Sequence, residues 1–140
     1  MTLNIAASKH LNEVQQEFNA YFPYLKIEFF QKLNGHNKPA PGQRIYPHHL
    51  TISEARHNGA EGYIQLRPEM TVSELEEAFW DNYGLSVQVF RKSGNLWLET
   101  TMTDRWTLLQ QNSHGKEISE PAAPVKPELP EDFELSRGED

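Results

Sequence analysis

Cysteine is absent from all 140 residues. That excludes a disulfide framework, a thiolate zinc site and a cysteine nucleophile. No run of about 18 apolar residues occurs, so nothing in the sequence reads as a membrane span. The first residues lack a basic-then-apolar secretory leader, and a cytoplasmic location is expected. Gly-Lys-Ser/Thr, G-x-G-x-x-G and His-Glu-x-x-His are all missing, which removes the common phosphate-loop, dinucleotide and zinc-protease signatures. No nucleophile elbow surrounds Ser53, Glu54 and His57, so a serine triad there has no support beyond short spacing. No basic stripe with interleaved aromatics appears, which argues against nucleic acid as a partner.

The acidic charge is uneven. The whole chain carries −7, and residues 115–140 hold three basic against eight acidic residues, leaving the rest nearly balanced. This length fits one domain with a real core. The composition places that domain at 1–115, with a disordered acidic tail at 116–140. In the tail Pro121, Pro124, Pro127 and Pro130 fall every third residue, the repeat of a polyproline II helix. Phe133 and Leu135 follow within acidic residues, giving a motif that suits docking as an extended peptide.

In chain order, Met1 to Ala7 reads as a short lead, and Ser8 as the cap of a helix over 9–21. Leu11, Val14 and Phe18 recur there at three- and four-residue steps, and Pro23 ends the run. Tyr24–Phe30 alternates as a strand. From Leu33 to Glu61 periodicity dissolves among Asn34-Gly35, Pro41-Gly42 and Asn58-Gly59. This long loop carries Lys38, Arg44 and Arg56 and four of the six histidines. No internal repeat is evident.

Gly62–Thr101 organises the rest. Gly62–Arg67 alternates as a strand. Thr71-Val-Ser-Glu74 matches a capping box, and Val72, Leu75 and Phe79 share one helical face up to Tyr83. Gly84 suits the left-handed position after a helix. Leu85–Phe90 and Asn95–Thr100 form a hairpin about Ser93-Gly94. That register sets Phe90 opposite Trp97 on one sheet face and Val89 opposite Leu98 on the other. Thr101 or Thr103 then caps a short helix through Asn112 that buries Trp106, with Asn112–Gly115 as its stop.

The run Ile64-Gln-Leu-Arg-Pro-Glu-Met-Thr-Val-Ser-Glu-Leu75, followed by Gly84–Arg91 and Arg105-Trp-Thr-Leu-Leu109, resembles a ubiquitin-like β-grasp domain. The resemblance covers about 50 residues plus the strand at Tyr24. The long 33–61 insertion and the missing final strand depart from the family. So does the ending Arg137-Gly-Glu-Asp140, which lacks Gly-Gly. The resemblance therefore implies a binding scaffold rather than a conjugated modifier or sulfur carrier. The expected fold is α+β: a small mixed four-stranded sheet packed by one long helix. A right-handed crossover between Gly62–Arg67 and Leu85–Phe90 makes those two strands parallel. An N-terminal helix and a short C-terminal helix are added.

The leading expectation is a non-catalytic protein-binding or regulatory module with no cofactor. Its interaction surface is Phe90, Arg91, Lys92, Trp97, Arg44 and Arg56, since aromatic and arginine side chains dominate binding hot spots. Two other classes stand beside it. One is a metal-dependent or hydrolytic enzyme using His36, His48, His49 and His57, because imidazole suits zinc, copper or nickel. It requires His48 or His49 to converge with another loop histidine and a carboxylate. The other is an RNA-binding accessory using Arg44, Arg56, Arg91 and Lys92.

Overall fold

The computed structural model describes residues 1–31, 44–56 and 60–120. The chain is mixed α+β. Its elements run β1 (Thr2–Ile5), α1 (Leu11–Tyr21), β2 (Leu25–Phe30), α2 (Ile52–Ala55), β3 (Gly62–Gln65), α3 (Val72–Tyr83), β4 (Ser86–Ser93) and β5 (Leu96–Glu99), then a 3-10 turn (Thr101–Thr103) and α4 (Leu108–Ser119). The four helices start alike. The backbone N–H of His10, Thr51, Thr71 and Thr107 each donates to the Glu or Gln side chain three residues on, at 2.8–2.9 Å. Gly84 closes α3 with φ 64°, in the left-handed region.

The expected mixed four-stranded sheet does not form. Among the described residues the strands make two antiparallel sheets, β1-β3 and β2-β4-β5, so the parallel pair of a β-grasp sheet is missing there. The lead at the N-terminus is a strand. Leu3 and Ile5 are fully buried and β1 takes β3 as its partner, with Leu3 opposite Ile64. Both sides of β4 are occupied, by β2 and β5, so β3 cannot return beside it and α3 crosses between the sheets instead. The core faces inward from both sheets. Leu25, Ile27 and Phe29 of β2 and Val87 and Val89 of β4 meet Leu11, Val14 and Phe18 of α1 and Leu75 and Phe79 of α3 in one buried cluster. Phe29 meets Phe79 edge to face at 5.9 Å, worth ~0.5–1.5 kcal/mol beyond area burial.

Two local expectations also shift. The hairpin turn is Gly94-Asn95, with Ser93 opposite Leu96 and Lys92 opposite Trp97. Gly94 takes φ 63° there, a conformation open to glycine. Moving the turn by one residue changes partners but keeps Phe90 and Trp97 on a common face. The C-terminal helix starts later and runs longer than expected, capped by Thr107 and passing straight through Gly115. That glycine marks a close approach rather than a stop. A Cβ there would lie 2.9 Å from Tyr24 Cβ and 3.3 Å from the Lys92 carbonyl. Trp106 lies outside the helix and remains partly exposed.

The fold is also internally repeated, which periodicity alone did not reveal. His10, Leu11, Glu13, Val14 and Phe18 each have a counterpart 61 positions on: Thr71, Val72, Glu74, Leu75 and Phe79. Each half pairs its two helix starts in one way. In the first, Leu11 and Asn12 N–H donate to Leu50 and His48 carbonyls, and Ile52 and Ser53 N–H donate to Lys9 and Ala7. In the second, Val72 and Ser73 donate to Trp106 and Asp104, and Leu108 and Leu109 donate to Met70 and Pro68. The cap residues form matching antiparallel bridges, His10 with Thr51 and Thr71 with Thr107. β1 pairs with its counterpart β3 and β2 with its counterpart β4. The two halves are therefore related by a pseudo-two-fold axis, and the 33–61 region is the end of the first half. It holds α2 and a segment where Ile45 bridges Phe30, in the place that β5 takes beside β4.

Candidate functional site: a groove beside the outer sheet face

Strand alternation puts Lys26 and Glu28 of β2, Gln88, Phe90 and Lys92 of β4, and Trp97 and Glu99 of β5 on the face turned away from the core. Beside it α1 presents Asn12, Gln15, Gln16 and Asn19, one stripe at i, i+3, i+4 and i+7. Between helix and sheet lies an open groove of about 360 Å³, lined by those four side chains with Lys26, Glu28, His48 and Trp97.

Two of the amides seal the outer edge of β2. Gln15 Nε2 donates to the Ile27 carbonyl at 2.7 Å and Asn19 Nδ2 to the Leu25 carbonyl at 2.9 Å. Four helical residues rise ~6 Å and two strand residues ~6.6 Å, so the spacings match. The groove floor is Glu28, only 5% exposed. Its carboxylate accepts from His48 Nε2 at 2.7 Å and Gln15 Nε2 at 3.2 Å, and pairs with Lys26 Nζ at 3.1 Å. A buried carboxylate is tolerated because donors surround it.

Phe90 and Trp97 are half-buried, and neither Trp106 nor α4 covers them. Lys26 Nζ stands over both rings, 5.6 Å from the Phe90 centroid and 5.1 Å from that of Trp97. A cation held by a carboxylate on one side and two aromatic faces on the other is positioned by both.

The expected basic surface is not one surface. Lys92 shares the outer face with Phe90 and Trp97. Arg91 faces the other way, donating to Gln111 Oε1 at 2.8 Å and lying 5.9 Å from the Trp106 ring. The backbone of Arg44 accepts from Gln31 N–H at the far end of β2. Arg56 follows α2 and donates to the Ala60 carbonyl at 2.9 Å. Of the histidine set, His48 meets Glu28, while the His49 carbonyl lies 2.7 Å from His10 Nδ1. His36, His57 and Lys38 lie outside the described residues, as do Pro121, Pro124, Pro127, Pro130, Phe133 and Leu135. Among the described residues no group of three or more His, Asp or Glu side chains could hold a metal ion.

The pseudo-symmetry makes the groove distinctive. The counterparts of Gln15, Glu28 and Lys26 in the second half, 61, 60 and 60 positions on, are Glu76, Gln88 and Ser86, which are 1%, 4% and 3% exposed. Gln15 and Lys26 are half-buried where Glu76 and Ser86 are buried, while Glu28 and Gln88 are buried alike.

The sheet's two outer edges differ as well. The β2 edge is sealed by Gln15, Asn19 and the bridge at Ile45. No strand among the described residues pairs with the outer side of β5. The Lys92 N–H donates to Tyr24, away from β5. By alternation Trp97 and Glu99, opposite Lys92 and Phe90, turn their backbone groups outward. Leu96 is 65% exposed, Leu98 42% and nearby Met102 95%.

No protein-family model matches the chain, and searches of curated proteins and of solved structures return no match. Among the described residues no helix is long and apolar enough to cross a membrane.

Proposed function

We propose that the protein is a small, cytoplasmic, non-catalytic module that binds an extended segment of a partner protein along β5. The supporting observation is the contrast between the two edges of one sheet. An uncapped edge with outward N–H and C=O groups is a template for another strand. Leu96 and Leu98 on one side of that strand and Trp97 on the other supply alternating side-chain contacts. Among natural devices that blunt an edge, β5 has only its four-residue length and Glu99.

The test is peptide display against the full chain, with Trp97→Pro and Leu98→Lys as comparators. Proline removes an outward N–H without touching the bonds to β4. Bound peptides are expected to lose at least about tenfold in affinity for either variant, a loss of ~1.4 kcal/mol. Binding that survives both substitutions would rule out the β5 edge.

A second reading rests on one contact. Glu28 orients the His48 ring, as a carboxylate orients a general base, so a hydrolytic reaction in the groove is the enzyme alternative. No Ser, Thr or Cys lines the groove, so the nucleophile in that reading is a water activated by His48. The division of Arg91 from Lys92 onto opposite faces weakens the RNA alternative.

A further inference from the structure

The groove beside α1 has a hydrogen-bonding character of its own, independent of the β5 edge. The orientation of its amides is fixed by their partners. Both Gln15 N–H groups go to acceptors that cannot donate, the Ile27 carbonyl and the Glu28 carboxylate. Both Asn19 N–H groups go to the Pro23 and Leu25 carbonyls. An amide whose two donors are spent offers a ligand its oxygen alone. The His48 Nε2–H is spent on the Glu28 carboxylate at 2.7 Å. Gln15 and Asn19 thus contribute two acceptors. Asn12 and Gln16, exposed on the same stripe, each add a donor and an acceptor.

Charge does not select the ligand. Lys26 and Glu28 neutralise each other at 3.1 Å. A cation entering the groove meets Lys26, and an anion meets Glu28 and a surplus of carbonyl oxygens. At the far side Trp97 offers an indole, an aromatic surface with an apolar body and a polar N–H. Neutral, rich in donors and able to lie against an aromatic ring, the matching chemistry is a chain of hydroxyls on a puckered carbon ring.

We propose that this groove binds a neutral oligosaccharide. Ring hydroxyls donate to the Gln15 and Asn19 oxygens and exchange paired bonds with Asn12 and Gln16, while a sugar C–H face rests against the part of the half-buried Trp97 ring that Lys26 leaves uncovered. The volume, about 360 Å³, is at the small end of ligand sites and fits a short glycan rather than a folded partner.

The experiment is a glycan array probed with the labelled full chain, displaying neutral, sialylated and amino-sugar glycans, with a peptide array alongside. Hits are titrated in solution. Binding to neutral glycans is expected. It should fall at least about tenfold for the double variant Asn12→Leu/Gln16→Leu, as losing two ligand hydrogen bonds implies. Among the described residues those two side chains make no hydrogen bond or ion pair, so the variant should keep wild-type circular dichroism. Leu98→Lys, which disables the β5 edge, should leave glycan binding unchanged. No glycan bound, preference for charged glycans, or binding indifferent to the double variant would each overturn the proposal. So would a peptide ligand lost with Asn12 and Gln16, and none of these outcomes bears on the edge.

Discussion

At the scale of single residues the sequence signals proved ambiguous where one residue type serves two ends. Gly115 is the plainest case. Glycine near the end of an apolar pattern reads as a helix stop, yet here it lets α4 lie against the Tyr24 side chain and the Lys92 backbone. Gly115→Ala gains helix propensity of ~1 kcal/mol but must move α4 away from contacts as short as 2.9 Å. The expected outcome is a net destabilisation of ~1–2 kcal/mol, read as a lower denaturant midpoint. A midpoint at or above wild type would contradict the close approach. From sequence, strand alternation puts Glu28 with Lys26 on a face that reads only as partly solvated or at a sheet edge. The burial of Glu28 depends on His48 and Gln15, contacts made by tertiary structure that no local pattern encodes. The same holds for Trp97, whose half-burial under Lys26 needs the correct strand register.

At the scale of elements, long periodic segments were readable and short ones were not. α1 and α3 carried three or more apolar positions at helical spacing, and Thr71 with Glu74 fixed where α3 begins. β1, at four residues, has too few alternations to stand out from a disordered lead. α2 is one turn, held by its cap rather than by periodicity. Glu54 is central to that cap. Hydrogen bonds from the Thr51 backbone and hydroxyl, with smaller help from His49 and His10, hold its carboxyl below the ordinary value of 4.5. A lowered folded-state value means stability that is present above the unfolded value and lost as pH falls through the folded one. The wild type should therefore be more stable than Glu54→Ala at neutral pH. The gap should shrink as the carboxyl protonates below 4.5, measured as the difference in denaturation midpoint. A gap that stays constant from neutral to acid would assign the effect to something other than this carboxylate.

At the scale of the whole molecule the sequence concealed its most regular property. The repeat survives as pattern, Glu13 with Glu74, Phe18 with Phe79 and Thr51 with Thr107, while the first cap is His10 in one half and Thr71 in the other and the segments after β2 and β4 differ in sequence. Helix starts and strand partners preserve it because both halves bury the same faces against each other. The β1–β3 and β2–β4 pairings lie between halves, so alone the first half loses both sheets and the second keeps only the β4–β5 hairpin. Fragments 1–56 and 60–140 produced together should associate into a one-to-one complex with the intact chain's circular dichroism, and each alone should be largely unfolded. Autonomous folding of either fragment, seen as a cooperative melt, would contradict the interdependence of the halves.

Among the described residues one sheet edge is sealed and the other open, and the proposed role depends on that difference. The most direct measurement is amide hydrogen exchange by NMR on the free, full-length protein. Along β5, Leu96 and Leu98 N–H face β4 and should exchange slowly, while Trp97 and Glu99 N–H face outward and should exchange quickly. Slow exchange at Trp97 and Glu99, matching their neighbours, would mean that the edge is already occupied, and the β5 docking surface would be wrong.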